Sequence, residues 1–230
     1  MTRECREGKS SVWGDLGMIA GLRFTGLKNR MVSASKLTYK SAMIIRFANA
    51  GDAASIAEIY RPFIEGSAVS FELAAPDAAE MARRIDKLWP AHPWIVAEED
   101  GVVIGYAYGS PYRERKAYQW AVEVTVYLAE AARGKGLGRK LYEMLMELLT
   151  RQGFTKAYGV VTLPNPASAA LHEAVGFAPF AVYRDIGFKN GQWHDVGWWE
   201  RDLAAKQDQQ PEPQSLERLG FARESVIEAG

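Results

Sequence analysis

The chain has a single cysteine, Cys5, three histidines and no surplus of charge of either sign, with 28 Lys and Arg against 28 Asp and Glu in 230 residues. One cysteine excludes a disulfide framework, a CxxC pair and a cysteine-built zinc cluster. It fits a reducing cytoplasm. Charge neutrality argues against a nucleic acid as main partner, because phosphate binding draws on a basic excess. No apolar run approaches the roughly 18 residues of a membrane span. The early apolar piece "LGMIAGL" is too short, and Glu4, Glu7 and Asp15 before it do not suit a signal peptide. What is present, 48% hydrophobic and 24% charged residues, is ordinary for a globular protein with a real core.

Composition divides the chain into three. Residues 1–42 carry eight Lys or Arg against three Asp or Glu and no sustained period. They read as a poorly ordered extension, ahead of a natural start near Met43. Residues 43–203 are periodic and rich in aromatics. Residues 204–230 open on "AAKQDQQPEPQ", which reads as a linker and a disordered tail.

Within 43–203 the pattern predicts β-α-α-β-β-β-α-β-α-β-β. "MIIRF" is a strand, Asp52 an N-cap, and "SFEL" at 70–73 an extended piece. Asp77 and Glu80 have capping-box spacing. Asp100-Gly101 and Asn190-Gly191 are hairpin turns. Leu137, Leu141, Met144, Leu145 and Leu148 mark one face of a helix. Asn165 caps the next helix, with Pro166 at its first position and Gly176 past its end. The expected class is α/β (α+β): one domain with a mixed central sheet, flanking helices and a C-terminal hairpin.

Between the strand "AVEVTVYL" and its following helix lies "RGKGLG", Arg133 to Gly138. It is neither a P-loop nor a dinucleotide fingerprint. Bare backbone N–H groups ahead of a helix N-terminus suit a pyrophosphate, and Arg133, Lys135, Arg139 and Lys140 add positive charge. A flexible turn with solvated cations is the plainer alternative.

The R-x-x-G-x-G pattern after that strand resembles the acyl-CoA loop of the GNAT N-acetyltransferase superfamily. The words "YRERKAYQW", "VEVTVYL", "RGKGLGRKLYE", "LPNPASAALHEAVGF" and "GFKNGQWHDVGWWERDL", in that order, narrow the resemblance to phosphinothricin (methionine sulfoximine) N-acetyltransferases. The resemblance implies the GNAT fold over about residues 43–203, acetyl-CoA as co-substrate, no metal, a homodimer and a detoxifying, herbicide-resistance role. The implied acceptor is the α-amine of a small amino acid with a tetrahedral polar head, such as phosphinothricin, methionine sulfoximine or methionine sulfone. It assigns coenzyme contacts to Val126, Tyr127, Leu128, Arg133, Gly134, Lys135, Gly136, Leu137, Gly138 and Asn165.

An ammonium group must lose a proton before it attacks a thioester, and a carboxylate can take it. Glu123 lies inside a strongly apolar strand where desolvation raises its pKa; alternation puts it on one face with Thr125 and Tyr127. A solvent-facing strand glutamate is the plainer reading. His172 stands where many GNAT enzymes carry a tyrosine that protonates the departing thiolate; it could donate, act as base, or simply pack. Arg113 and Arg115 suit bidentate contacts to an anionic acceptor, or belong to a solvated loop. Phe71, Glu72 and Tyr118 wall the acceptor pocket, or the two aromatic ones are core. His92 and His194 are weaker candidates, and Trp193, Trp198 and Trp199 suggest core or a subunit contact. A different amine acceptor, or a non-catalytic CoA-binding module, are the rival functions.

Overall fold

The computed structural model describes residues 43–229; the expectations placed on 1–42, Cys5 included, lie outside the described residues. The element order is β1 (Met43–Phe47), α1 (Ala53–Glu65), α2 (Ala78–Leu88), β2 (Trp94–Glu99), β3 (Val102–Pro111), β4 (Ala121–Leu128), α3 (Leu137–Gln152), β5 (Lys156–Thr162), α4 (Pro166–Ala174), β6 (Ala178–Lys189), β7 (Gln192–Asp202) and β8 (Val226–Ala229). Up to β7 this is the order the sequence predicts.

The strands form one mixed sheet in the order β6-β7-β5-β4-β3-β2-β1-β8. Among the described strands β4 and β5 alone run parallel. The two hairpins turn where expected: Asp100 and Gly101, and Asn190 and Gly191, all have positive φ, the conformation of a tight primed turn.

Strand alternation sorts the side chains into two cores. On one face Val122 and Val124 of β4 meet Leu141, Leu145 and Leu149 of α3. On the other, Val96 and Tyr106 meet Ile56 and Ile64 of α1 and Met81 and Ile85 of α2. Helices therefore cover both faces, and Glu123, out of phase with its valine neighbours, turns toward the α1/α2 side.

Three local expectations are corrected. Asp52 does not cap α1 with its side chain; its carboxylate accepts two bonds from Arg46, at 2.8 and 2.7 Å, and one from the Asn49 N–H. A guanidinium on the adjacent strand outcompetes a backbone amide for that carboxylate. Asn49 instead caps the short 3₁₀ turn before α1. "SFEL" joins no strand, because its carbonyls are held by a side chain rather than by a ladder, as described below. Asp77 caps α2 as expected, accepting from Glu80 N–H at 2.7 Å, but Glu80 pairs with Arg84 instead of reaching back.

The tail beyond residue 203 is also corrected. It docks: Leu216 is fully buried, Phe221 packs edge-on to Phe47, and β8 pairs antiparallel with β1, Ile45 opposite Glu228. The polar run at its start is exposed, as its composition demands. Its apolar anchors are spaced without period, so no helix or strand pattern announces them. Replacing Leu216 by Ala should cost about 2–5 kcal/mol, the usual range for a buried leucine, measurable as a shift in the denaturant midpoint without a change of slope.

Candidate active site

β4 and β5 pair only from Ala121↔Lys156 to Val124↔Gly159. Beyond that point β4 stays on β3, up to Leu128↔Gly105, while β5 stays on β7, up to Thr162↔Val196. The sheet splits between them. Along residues 125–128 the backbone groups that face β5 have no strand to bond, and buried backbone polar groups need partners. An extended ligand carrying amides is suited to this edge.

The glycine loop lies at the end of the same strand. Gly134 and Gly136 have φ of 73° and 83°, left-handed values that exclude ordinary side chains. Lys140 N–H closes the first turn of α3 on the Gly136 carbonyl, 3.1 Å, so the amides of Leu137 to Arg139 have no helical acceptor and suit an anion. Gly138 has a different reason: a Cβ there would meet Leu171 at 3.2 Å, so it brings α3 close to α4.

The loop cations are not equivalent. Arg133 turns back, its Nε donating to the Leu128 carbonyl at 3.2 Å and its guanidinium 4.7 Å from the Phe63 ring centroid. Arg139 pairs with Glu143 and Lys140 with Glu228 of β8. Lys135 lines a cavity of about 400 Å³ beside Gly136 and Leu137. The Tyr127 ring packs against Tyr60 and Phe63, which leaves its backbone as the part available at the split. Val126 and Leu128 pack on the α3 side. Asn165 caps α4, its Oδ1 accepting from Ser168 N–H at 3.1 Å, which leaves its amide NH₂ unspent on the cap.

Glu123 sits one residue before the split, half-buried. Burial pushes its carboxyl pKa up, and Arg113 pulls it partly back; the two approach to 3.8 Å. Arg113 is fixed by its bond to the Tyr112 carbonyl and by lying over the Tyr112 ring. Sequence reasoning singled out both residues, and the fold brings them together.

His172 is not brought to Glu123. Its ring rests on Gly159, where a Cβ would come within 2.3 Å of Nε2, on the Val124 side of the sheet and so opposite Glu123. It is 3% exposed. Nδ1 lies 2.8 Å from the Ser168 carbonyl and Nε2 3.1 Å from the Tyr142 hydroxyl. A carbonyl only accepts, so Nδ1 carries the hydrogen and Nε2 accepts from Tyr142. Burial lowers the His172 pKa, which keeps the ring neutral.

An acceptor-sized cleft of about 610 Å³ opens on the α1/α2 face, lined by Tyr60, Arg84, Trp94, Tyr108, Ser110 and Arg113 among others. Ser110 is the β3 partner of Glu123. Trp94 is 5% exposed, stacks on Tyr108 at 4.2 Å, and its Nε1 is a buried donor without a partner. Such a donor in a cleft wall suits a polar ligand. His92 also lines the cleft; desolvation lowers its pKa to about 4. Sequence reasoning missed Arg84, Trp94 and Tyr108: the two aromatic residues sit on strand faces that read as core, and Arg84 on a helix face that reads as solvated.

The expected acceptor-wall residues are distributed differently. Glu72 does not line the cleft; it holds Arg84 through two bonds, 2.7 and 3.1 Å, and accepts from Tyr60. Phe71 lies over Gly187, where a Cβ would meet its ring at 2.1 Å. Tyr118 packs edge-on to Tyr112. Arg115 lies in an adjoining groove. His194 is buried, its Nε2 donating to the Lys189 carbonyl.

Behind the cleft, Lys189 is buried, and its Nζ donates to the carbonyls of Ile64, Ser70 and Glu72 at 2.7, 2.7 and 2.8 Å. All three ammonium hydrogens are spent, one on the end of α1 and two on the loop after it. Glu72 then fixes Arg84, so a residue of the last hairpin sets the position of a guanidinium in the cleft wall.

A split parallel pair, a glycine loop at a helix N-terminus and a half-buried carboxylate just ahead of the split define an acyl-CoA-dependent transferase. Residues 45–198 match the acetyltransferase (GNAT) domain family. A phosphinothricin N-acetyltransferase of Streptomyces viridochromogenes is 42% identical over 159 residues, 69% of this chain and 87% of that protein. An L-methionine sulfoximine/L-methionine sulfone acetyltransferase of Salmonella typhimurium is 34% identical, over 70% of this chain and 95% of that one. The crystal structure of a GNAT superfamily phosphinothricin acetyltransferase from Sinorhizobium meliloti in complex with AcCoA superposes with a TM-score of 0.67 at 40% identity, covering 70% of this chain and 88% of that one. The chain belongs to the GNAT acetyltransferase family.

Replacing Lys189 by Met should raise the KM for the acceptor about tenfold, since displaced positioning groups cost rate steeply, while the KM for acetyl-CoA stays within about twofold because the glycine loop is untouched. Steady-state kinetics with each substrate varied in turn checks this.

Proposed function

We propose that the protein transfers acetyl from acetyl-CoA to the α-amine of a small amino acid with a tetrahedral polar head, phosphinothricin, methionine sulfoximine or methionine sulfone, by direct attack in a ternary complex. The observation that carries the reading is Glu123: a half-buried carboxylate beside Arg113, one residue from the point where β4 and β5 part. The backbone edge at 125–128, the loop of Gly134 and Gly136, and the free amides of α3 fit the coenzyme. Bound acetyl-CoA supplies an acyl group already activated toward amines.

The chain's own residues then do three things. The Arg113 guanidinium meets the acceptor carboxylate and sets the amine beside Glu123. Glu123 takes the ammonium proton, directly or through water. The aromatic walls of Trp94, Tyr106 and Tyr108 exclude bulk water from the cleft. The Nδ1 hydrogen of His172 is spent on the Ser168 carbonyl and Nε2 accepts from Tyr142, so we assign His172 to holding α4 on Gly159 and Tyr142 rather than to proton transfer. Acetylation of the amine would inactivate such inhibitors, a detoxifying role consistent with herbicide resistance. The lone Cys5 supports a cytoplasmic setting. Exposed Phe180, Tyr183, Ile186, Phe188 and Trp193 on the last hairpin support a homodimer.

A thiol-release assay with acetyl-CoA tests the reading. Phosphinothricin, methionine sulfoximine and methionine sulfone should turn over well above glutamate and spermidine; turnover of spermidine alone would overturn the acceptor class. Glu123→Gln should lower kcat/KM about 10²–10⁴-fold, the usual worth of a positioned base. The base works only when ionised, so wild-type activity should fall as pH drops through the raised pKa of Glu123, at a pH above that of an ordinary glutamate. In Glu123→Gln that acid limb should vanish.

A further inference from the structure

We propose that the acceptor site continues outward into a second, cation-lined groove walled by the C-terminal tail, and that the groove admits short acidic peptides. The residue to be acetylated would stand at the peptide's N-terminus, with an acidic residue following it. This rests on the acceptor reading above and extends it.

The groove measures about 570 Å³ and adjoins the 610 Å³ cleft: Lys87, Ala91, His92, Pro111, Arg113 and Glu114 line both. Sites for small ligands commonly span about 300–1,000 Å³, so the inner cleft alone suffices for one amino acid. The outer groove adds Arg115, Lys116 and Tyr118 from the loop before β4, and Pro213, Gln214 and Ser215 from the tail. Among the described residues lining it, Glu114 is the one carboxylate against four Lys and Arg. Lys116 is paired with Glu212 of the tail, but among the described residues Lys87 and Arg115 form no ion pair. Two unpaired cations flanking a groove that leads from an anion-binding arginine favour a second anionic group.

The wall is built rather than incidental. Trp120 Nε1 donates to the Pro211 carbonyl at 2.7 Å, and Gln152 Nε2 donates to both Ala91 and Gln214 carbonyls at 2.9 Å. Gln214 N–H returns a bond to the Gln152 carbonyl, and Leu216 N–H bonds the Pro90 carbonyl. The family match ends at residue 198, before this segment begins. A free amino acid presents its carboxylate to Arg113. In a dipeptide that carboxylate becomes an amide, and the negative charge moves one residue outward, toward Arg115 and Lys87. The reaction is unchanged: the N-terminal amine gains the acetyl group, loses a proton, and the thiol of coenzyme A is released.

The test compares three acceptors with the full-length enzyme: methionine sulfone, the dipeptide methionine sulfone–glutamate, and the dipeptide methionine sulfone–lysine. The glutamate dipeptide should turn over with kcat/KM at least tenfold above the lysine dipeptide. In the double variant Lys87→Ser/Arg115→Ser that ratio should fall at least fivefold, and raised salt should erode it in the wild type. Turnover of methionine sulfone but of neither dipeptide, or equal use of the two dipeptides, would overturn the groove and leave the acceptor class standing. A ratio unmoved by the double variant, with thermal stability intact, would also overturn it. No turnover of methionine sulfone or either dipeptide would remove the acceptor class and the groove together.

Discussion

Four residue pairs hold β4 to β5, and then the two strands part. Everything functional is arranged around that division. A sheet that splits gives up ladder bonds and exposes backbone that cannot stay dry and unpaired. The division is maintained from both sides. β3 keeps β4 straight on one flank and β7 keeps β5 on the other, while the His172 ring occupies the space a side chain at position 159 would need. A buried neutral histidine, bonded at both nitrogens, acts here as a rigid spacer. The half-buried Glu123 falls at the fork because the strand alternates, and the glycine loop follows because β4 ends four residues later.

The acceptor side is organised by a second principle, in which charge is positioned through intermediaries. Arg84 reaches the cleft wall held by Glu72 and Glu80. Glu72 sits on a loop whose carbonyls converge on one ammonium from β6. Such an arrangement separates the residue that meets ligand from the residues that fix it. It also ties α1, the loop after it, α2 and the last hairpin into one unit on the acceptor side. Trp94 contributes the opposite kind of group, a desolvated donor with nothing to bond, which costs stability in the free protein.

Much of this was legible in the chain itself. The element order, both hairpin turns, the Asn165 cap and the phase of Glu123 follow from local chemistry, because turns, caps and alternation are short-range rules. Arg113 and Glu123 were each legible as site candidates; that the loop between β3 and β4 brings them together is seen only in the structure. What could not be read were associations between distant segments of the chain. Lys189 looks like any hairpin lysine until its partners, more than a hundred positions earlier, fold beneath it. Arg84 reads as the solvated face of an amphipathic helix. Glu72 reads as a cleft-wall residue, yet its carboxylate is engaged by Arg84 and Tyr60. His172 carries a family expectation of proton transfer; what the chain could not announce is that its ring lies buried and bonded at both nitrogens. The tail misled most, because composition reports the average polarity of a segment and three anchoring residues hardly change that average.

The strand contributed by the tail has one more effect. A sheet has two lateral edges, and each is a template for another strand. Here β8 occupies the flank of β1, its Glu228 drawn toward Lys140, while β6 lies at the other end of the sheet. With one lateral edge continuing from β1 into a short, charge-pinned strand, growth from that side is discouraged. The same tail segment that is anchored by Leu216 thereby covers the β1 edge against addition of a further strand.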